Sequence, residues 1–112
     1  MKKICVVLLL IAPLVLQFCS TSKKNAKVKP LTYVLNVKPL MEMNCTPCHF
    51  PPKGNKKAYD NYLAVKGDID AILERVNKNP GERGFMPMKH PKLSDSSIAV
   101  LVKWKNDGLR EN

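Results

Sequence analysis

Aromatic residues are scarce in this chain. Trp, Tyr and Phe make up 6% of its 112 residues, too few for a large conventional core. Strand-like alternation is absent and no segment repeats, which sets aside sheets and solenoids. No paired carboxylates and no spare His–Arg arrangement stand near the motifs, His90 apart, so acid–base chemistry has no ready apparatus. The long apolar run, residues 4–18, is shorter than the roughly 20 residues that span a bilayer, and Pro13 interrupts it. Acidic residues are also few: 9 against 19 Lys and Arg, a formal charge of +10.

What is present centres on Cys45-Thr46-Pro47-Cys48-His49. This C-x-x-C-H run is the signal for covalent attachment of a c-type haem. Two thiols add across the two vinyl groups of one haem, and the imidazole just after them takes the iron from one side. On a helical turn Cys45, Cys48 and His49 stand at i, i+3 and i+4 and face the same way. A haem would also serve as much of the missing core.

The same residues admit other chemistries. Cys45 and Cys48 have thiol–disulfide spacing, but the βαβ context of such oxidoreductases is missing. Cys45, Cys48, His49 and His90 could supply four zinc ligands, yet adjacent Cys48 and His49 with one distant histidine do not fit finger spacing.

The first stretch reads as a targeting segment, set apart from the fold. Met1-Lys2-Lys3 precedes the apolar run, Cys19 closes it and Ser20-Thr21-Ser22 follow. This resembles a bacterial lipoprotein signal, which implies cleavage before Cys19 and lipidation of that cysteine. An uncleaved anchor and ordinary secretion are the alternatives, and all three lead out of the cytoplasm. Cleavage removes Lys2 and Lys3 and no acid, so the mature chain stays strongly basic. Outside the cytoplasm, nucleic acid gives way to an anionic membrane surface or an acidic redox protein as partner. Residues 1–18 are thus assigned to the signal peptide and 19–32 to a lipid-anchored, lysine-rich linker. Extended at about 3.1 Å per residue, that linker reaches on the order of 40 Å. Residues 33–112 form the folded domain.

Within that domain the spacing predicts four short helices. The first starts near Asn36, read as its N-cap, and carries Val37, Leu40, Met41 and Cys45 on one stripe. Pro47 loosens it inside the motif. Residues 50–55 are a loop, whose Pro51 or Pro52 carbonyl is expected to accept from His49 Nδ1. Asp60 caps a short second helix ended by Gly67, and a third follows from Asp68 along Ile69, Ile72, Leu73 and Val76. Tyr59 and Tyr62 read as packing residues or contacts to the haem propionates. Ser94 caps the last helix, with Asp95 at its positive end, Trp104 on its inner side and Gly108 at its C-terminal end.

The loop from Gly84 to Pro91 is the second informative stretch. Met86 is the choice for the sixth position on iron, because Met-Pro presents the sulfur from a stiff loop. Met88 and His90 are the alternatives. Histidine there would give a lower potential, since methionine in a Met/His pair raises it.

Over residues 33–108 the chain resembles the small, class I-like monohaem c-type cytochromes of the bacterial cell envelope. The resemblance rests on Cys45-Thr46-Pro47-Cys48-His49, on Met86-Pro87, and on Leu93-Ser94-Asp95 leading into a helix with Trp104. It implies an all-α fold in which N- and C-terminal helices cross beside one haem. It further implies thioethers at Cys45 and Cys48, His49 as proximal ligand and Met86 as distal ligand. The chain departs from the pattern at Met88 and His90, where the family often has proline and glycine. Ser97 stands where a Glu would complete a capping box.

The implied function is a one-electron carrier facing the periplasm, not an enzyme. Steering by Lys53, Lys56, Lys57, Lys89 and Lys92 would speed encounter with an acidic redox partner. The alternative is a haem enzyme or gas-binding domain with a labile sixth ligand. With so small a core, the apo-protein is expected to be largely unfolded, as small metal domains are without their metal. Circular dichroism checks this: a full helical signal with a cooperative melt in the apo-form would refute it.

Overall fold

The N-terminal end of the domain is organised by a reciprocal pair of side-chain caps. Thr32 is extended, and its hydroxyl accepts from Leu35 N while Asn36 Oδ1 accepts from Thr32 N at 2.9 Å. Between them Tyr33–Val37 forms one wide, π-type turn, closed by Val37 N on the Thr32 carbonyl at 3.4 Å. Thr32 therefore takes the N-cap position expected of Asn36, and Asn36 closes the cap from inside the turn. The structure, a computed structural model, describes residues 28–112. The assigned signal peptide, Cys19 and most of the linker lie outside the described residues.

Helix α1, Lys38–Cys45, follows directly, with Pro39 tolerated in its first turn. It stops at Cys45 because Thr46 precedes a proline and is driven into the extended region, with ψ of 156°. Helix α2, Tyr62–Asn77, is a single 16-residue helix. Two expectations are corrected here. Asn61, not Asp60, is the N-cap, its side chain accepting from Ala64 N at 3.0 Å. Gly67 does not end a helix but sits inside α2, facing open space. The buried stripe Val65, Ile69, Ile72 and Val76 runs across it, and that burial outweighs the roughly 1 kcal/mol that glycine costs a helix. The domain thus has three α-helices and the wide turn, not four helices.

Helix α3, Asp95–Asn106, starts as expected: Ser94 Oγ accepts from Ser97 N, and Asp95 lies in the first turn. It ends with Asp107 N on the Lys103 carbonyl, and Gly108 then takes φ of +92°, a conformation glycine adopts without penalty. No strand occurs among the described residues; Thr32 and Arg110 share one isolated bridge. The fold is all-α.

The core gathers on Trp104, which is fully buried with Val37, Val65 and Leu101. Tyr33 and Tyr62 lie against the indole at 6.1 and 6.4 Å between ring centroids. The indole N–H donates to the Arg110 carbonyl and the Tyr62 hydroxyl to the Leu109 carbonyl, both at 2.8 Å. The C-terminal tail is thereby tied to the aromatic cluster, and Tyr33 N and Val34 N donate to the carbonyls of Arg110 and Glu111. Tyr62 is accordingly a packing residue.

Asp107 completes the clasp between the two ends of the domain. Its carboxylate accepts from Leu31 N at 2.7 Å and from Lys103 Nζ at 2.9 Å. The Leu31 N–H first, then Lys103, hold its pKa below the ordinary carboxylate value. A depressed folded-state pKa contributes stability above the unfolded value of about 3.9, and that contribution is lost as pH falls through the folded pKa. The melting-temperature advantage of the parent protein over Asp107→Asn should therefore be steady near neutrality and close in acid. An unchanged gap down to pH of about 2 would contradict this assignment.

Candidate functional site

The C-x-x-C-H run sits where α1 gives way to a folded-back loop. His49 N donates to the Cys45 carbonyl at 3.0 Å, so the five residues close one turn. Residues 50–59 then return over the motif. Gly54 N donates to the Phe50 carbonyl, Lys56 N to the Cys48 carbonyl and Tyr59 N to the His49 carbonyl, at 3.0, 3.1 and 2.9 Å. Gly54 is pressed against this backbone: a Cβ there would meet the Pro47 and Cys48 carbonyl oxygens at 2.3 Å.

The His49 ring is held on two sides. Nδ1 lies 2.6 Å from the Lys57 carbonyl. A carbonyl only accepts, so Nδ1 carries the proton, and in the neutral ring Nε2 keeps its lone pair. The ring also stacks on Tyr59, with centroids 4.8 Å apart and planes 20° from parallel. The acceptor is thus Lys57, not Pro51 or Pro52. The prolines lie on the outward bend of the loop, and its return brings Lys57 to the ring instead.

A cavity of about 710 Å³ opens beside the motif. Cys45, Cys48 and His49 line it, and so do Met86, Met88 and His90 from the later loop. The sulfur and imidazole groups singled out in two distant stretches therefore share one space. Its apolar lining includes Met41, Ile72, Val76 and Leu93, all buried. Helix α2 contributes Asp68, Ala71, Ile72, Arg75 and Val76, the i, i+3, i+4, i+7 and i+8 face of one helix. Its size and lining match a ligand pocket of the usual kind.

The three later-loop candidates differ in setting. Met86 is half-buried and packs against the core, and its N–H donates to the Arg75 carbonyl at 3.2 Å. Met88 is 57% exposed, and His90 is exposed as well. Lys92 is drawn away to the end of α2, donating to Asn77 O and Asn79 Oδ1. Lys56, Lys57 and Lys89 stand on the cavity wall, whereas Lys53 and Lys92 do not line it.

Neither motif cysteine is in a disulfide; Cys45 is half-buried and Cys48 exposed. Burial pushes the Cys45 thiol up to about 11. Among the described residues no three His, Cys, Asp or Glu side chains converge on a point that could hold a metal ion. The four-ligand arrangement of Cys45, Cys48, His49 and His90 is therefore not formed. No helix of the described residues is long and apolar enough to cross a membrane. Compared with known proteins, the chain matches no family model, no curated protein and no solved structure.

Sequence reasoning missed Gly54, the Lys57 carbonyl, the role of Tyr59 against His49, and Asp68. Only the helical face shared by Asp68, Ile72 and Arg75 left a trace in the pattern. Substituting Gly54→Ala should force the motif backbone apart and cost about 1–3 kcal/mol, the range for overpacking. Guanidinium unfolding checks this; a midpoint within error of the parent would show that the loop yields freely.

Proposed function

We propose that the cavity holds one covalently attached haem and that the protein is an electron carrier of the bacterial cell envelope, built on a c-type cytochrome fold. One observation carries this reading. Cys45, Cys48 and His49 face the same apolar cavity as Met86, although the two stretches lie far apart in the chain. The donor set fits the group: two thiols on one wall, an imidazole with its Nε2 lone pair available, and a soft thioether in the later loop.

Cys45 and Cys48 would form the thioethers, His49 Nε2 the proximal bond and Met86 the distal one. Bound there, the haem supplies one reversible electron. The residues of the chain set the conditions. Met41, Ile72, Val76 and Leu93 exclude water, while Arg75 and Lys89 offer cations to carboxylates of the bound group. The half-buried position of Met86 favours it over the exposed Met88 and His90. The wide N-terminal turn packs on α3 through Tyr33 and Trp104, an approach of the two ends of the domain that the cytochrome reading expects.

Lys56, Lys57 and Lys89 on the cavity wall suit docking to an acidic redox protein, with an on-rate that falls as salt rises. Lipidated Cys19 would keep the domain at a membrane facing the periplasm. Thiol–disulfide exchange is less well supported. It needs an available thiolate, and burial of Cys45 works against one.

The test is an optical spectrum of the purified protein, air-oxidised and then reduced with dithionite. A sharp reduced α-band is expected, with a weak band toward the red in the oxidised state. Met86→Ala should abolish the weak band and admit carbon monoxide quickly, while Met88→Ala should change neither. Colourless protein with both motif thiols still open to alkylation, recovered from cells that attach haem to other proteins, would overturn the reading.

A further inference from the structure

Among the described residues, Asp68 is the only acidic side chain on the cavity wall. It stands on α2, and the loop that returns over the motif closes onto it. Its Oδ2 accepts from the Tyr59 hydroxyl at 2.8 Å and from Lys57 Nζ at 2.5 Å. Those two residues are the ones that hold His49: the Lys57 carbonyl takes the Nδ1 proton, and the Tyr59 ring lies against the imidazole. We propose that Asp68 is a positioning residue, which fixes the tautomer and plane of His49 by tying Lys57 and Tyr59 together without touching the imidazole itself.

Each link has a physical basis. The Tyr59 hydroxyl donates to Asp68 Oδ2, which holds the phenol ring where it stacks on the imidazole. Hydrogen bonds from Lys57 and then Tyr59 hold Asp68 low, so the carboxylate stays charged and accepts from both. Lys57 is engaged twice, by its carbonyl and by its ammonium, so the peptide that faces Nδ1 cannot rotate freely. Groups that orient a ligating histidine in this way raise its basicity and fix its ring. A negative charge on the same wall also favours the more positive state of a bound iron.

The proposal rests on the haem reading for its redox consequence, but not for its effect on the imidazole. Two measurements on the full-length protein separate the two. Solvent exchange of the His49 Nδ1 proton is read by 15N NMR on the protein as purified, in the reduced state if it is pigmented. Asp68→Asn should speed that exchange roughly tenfold, the scale of one lost hydrogen bond, and Asp68→Glu should restore much of the protection.

In pigmented protein Asp68→Asn should also raise the midpoint potential by about 59 mV, a tenfold change in a one-electron equilibrium. Tyr59→Phe keeps the stacked ring and should give a smaller change of the same sign. It decides the matter if Asp68→Asn fails to fold. Unchanged exchange in Asp68→Asn, or in Tyr59→Phe where that variant decides, overturns the proposal even if stability falls. Colourless protein that shows the exchange effect overturns the haem reading and leaves Asp68 its role.

Discussion

An imidazole has two nitrogens, and the 2.6 Å contact between His49 Nδ1 and the Lys57 carbonyl commits one of them. Everything about the site depends on that commitment. It makes Nε2 the nitrogen with a lone pair to offer. It also requires the chain to turn back eight residues after the histidine, and the sequence supplies the means. Pro51 and Pro52 stiffen the outward limb, and Gly54 lets the returning limb pass against the Pro47 and Cys48 carbonyls. The motif is therefore not a free-standing run of five residues. It is one limb of a folded-back loop whose other limb carries the partners.

The loops need a foundation, and α2 provides it at two points. Asp68 near its middle receives Lys57 and Tyr59, while the Arg75 carbonyl near its end receives Met86 N. The intervening Ala71 and Ile72 keep the wall between these points apolar. A continuous helix is what makes the spacing reliable. Two helices broken at Gly67 would leave Tyr62 and Val65 free to move relative to Asp68. The other side of α2 packs toward the Trp104 cluster, so the wall is anchored in the core by residues that the cavity never sees. Through that cluster the C-terminal tail and the Tyr33–Val37 turn also bear on the position of α1, and hence of Cys45.

How much of this could be read in advance follows from how local each feature is. The C-x-x-C-H spacing, the Ser94 cap and the Gly108 terminator are short-range patterns, and each lies where the sequence places it. The amphipathic stripe of α2 was legible in its second half, through Ile69, Ile72 and Val76. Its continuity across Gly67 was not, because a glycine is judged a terminator by local preference and kept in a helix by burial of Val65 and Ile69. The acceptor for His49 was assigned to a nearby proline for the same reason. The pairing of Tyr59 with Asp68 spans the turn into α2, and no periodicity announces it. Within the later loop the Met-Pro pair singles out Met86 over Met88 and His90, whereas their unequal burial is a tertiary difference that no local pattern announces.

That separation bears on the chemistry the cavity can host. The later loop carries three groups able to bind iron within five residues, an arrangement that by itself would leave the ligand free to vary. On the proposed haem reading, packing would weigh the three by cost. Met86 already lies against the core with its backbone bonded to α2, so its sulfur enters the cavity with little further ordering. Met88 and His90 are exposed, and either would have to surrender hydration and side-chain freedom to take its place. On the proposed reading, then, the choice of thioether over imidazole rests mainly on which part of the loop is held down: Pro87, next to Met86, is buried, and Met86 N is bonded to the Arg75 carbonyl.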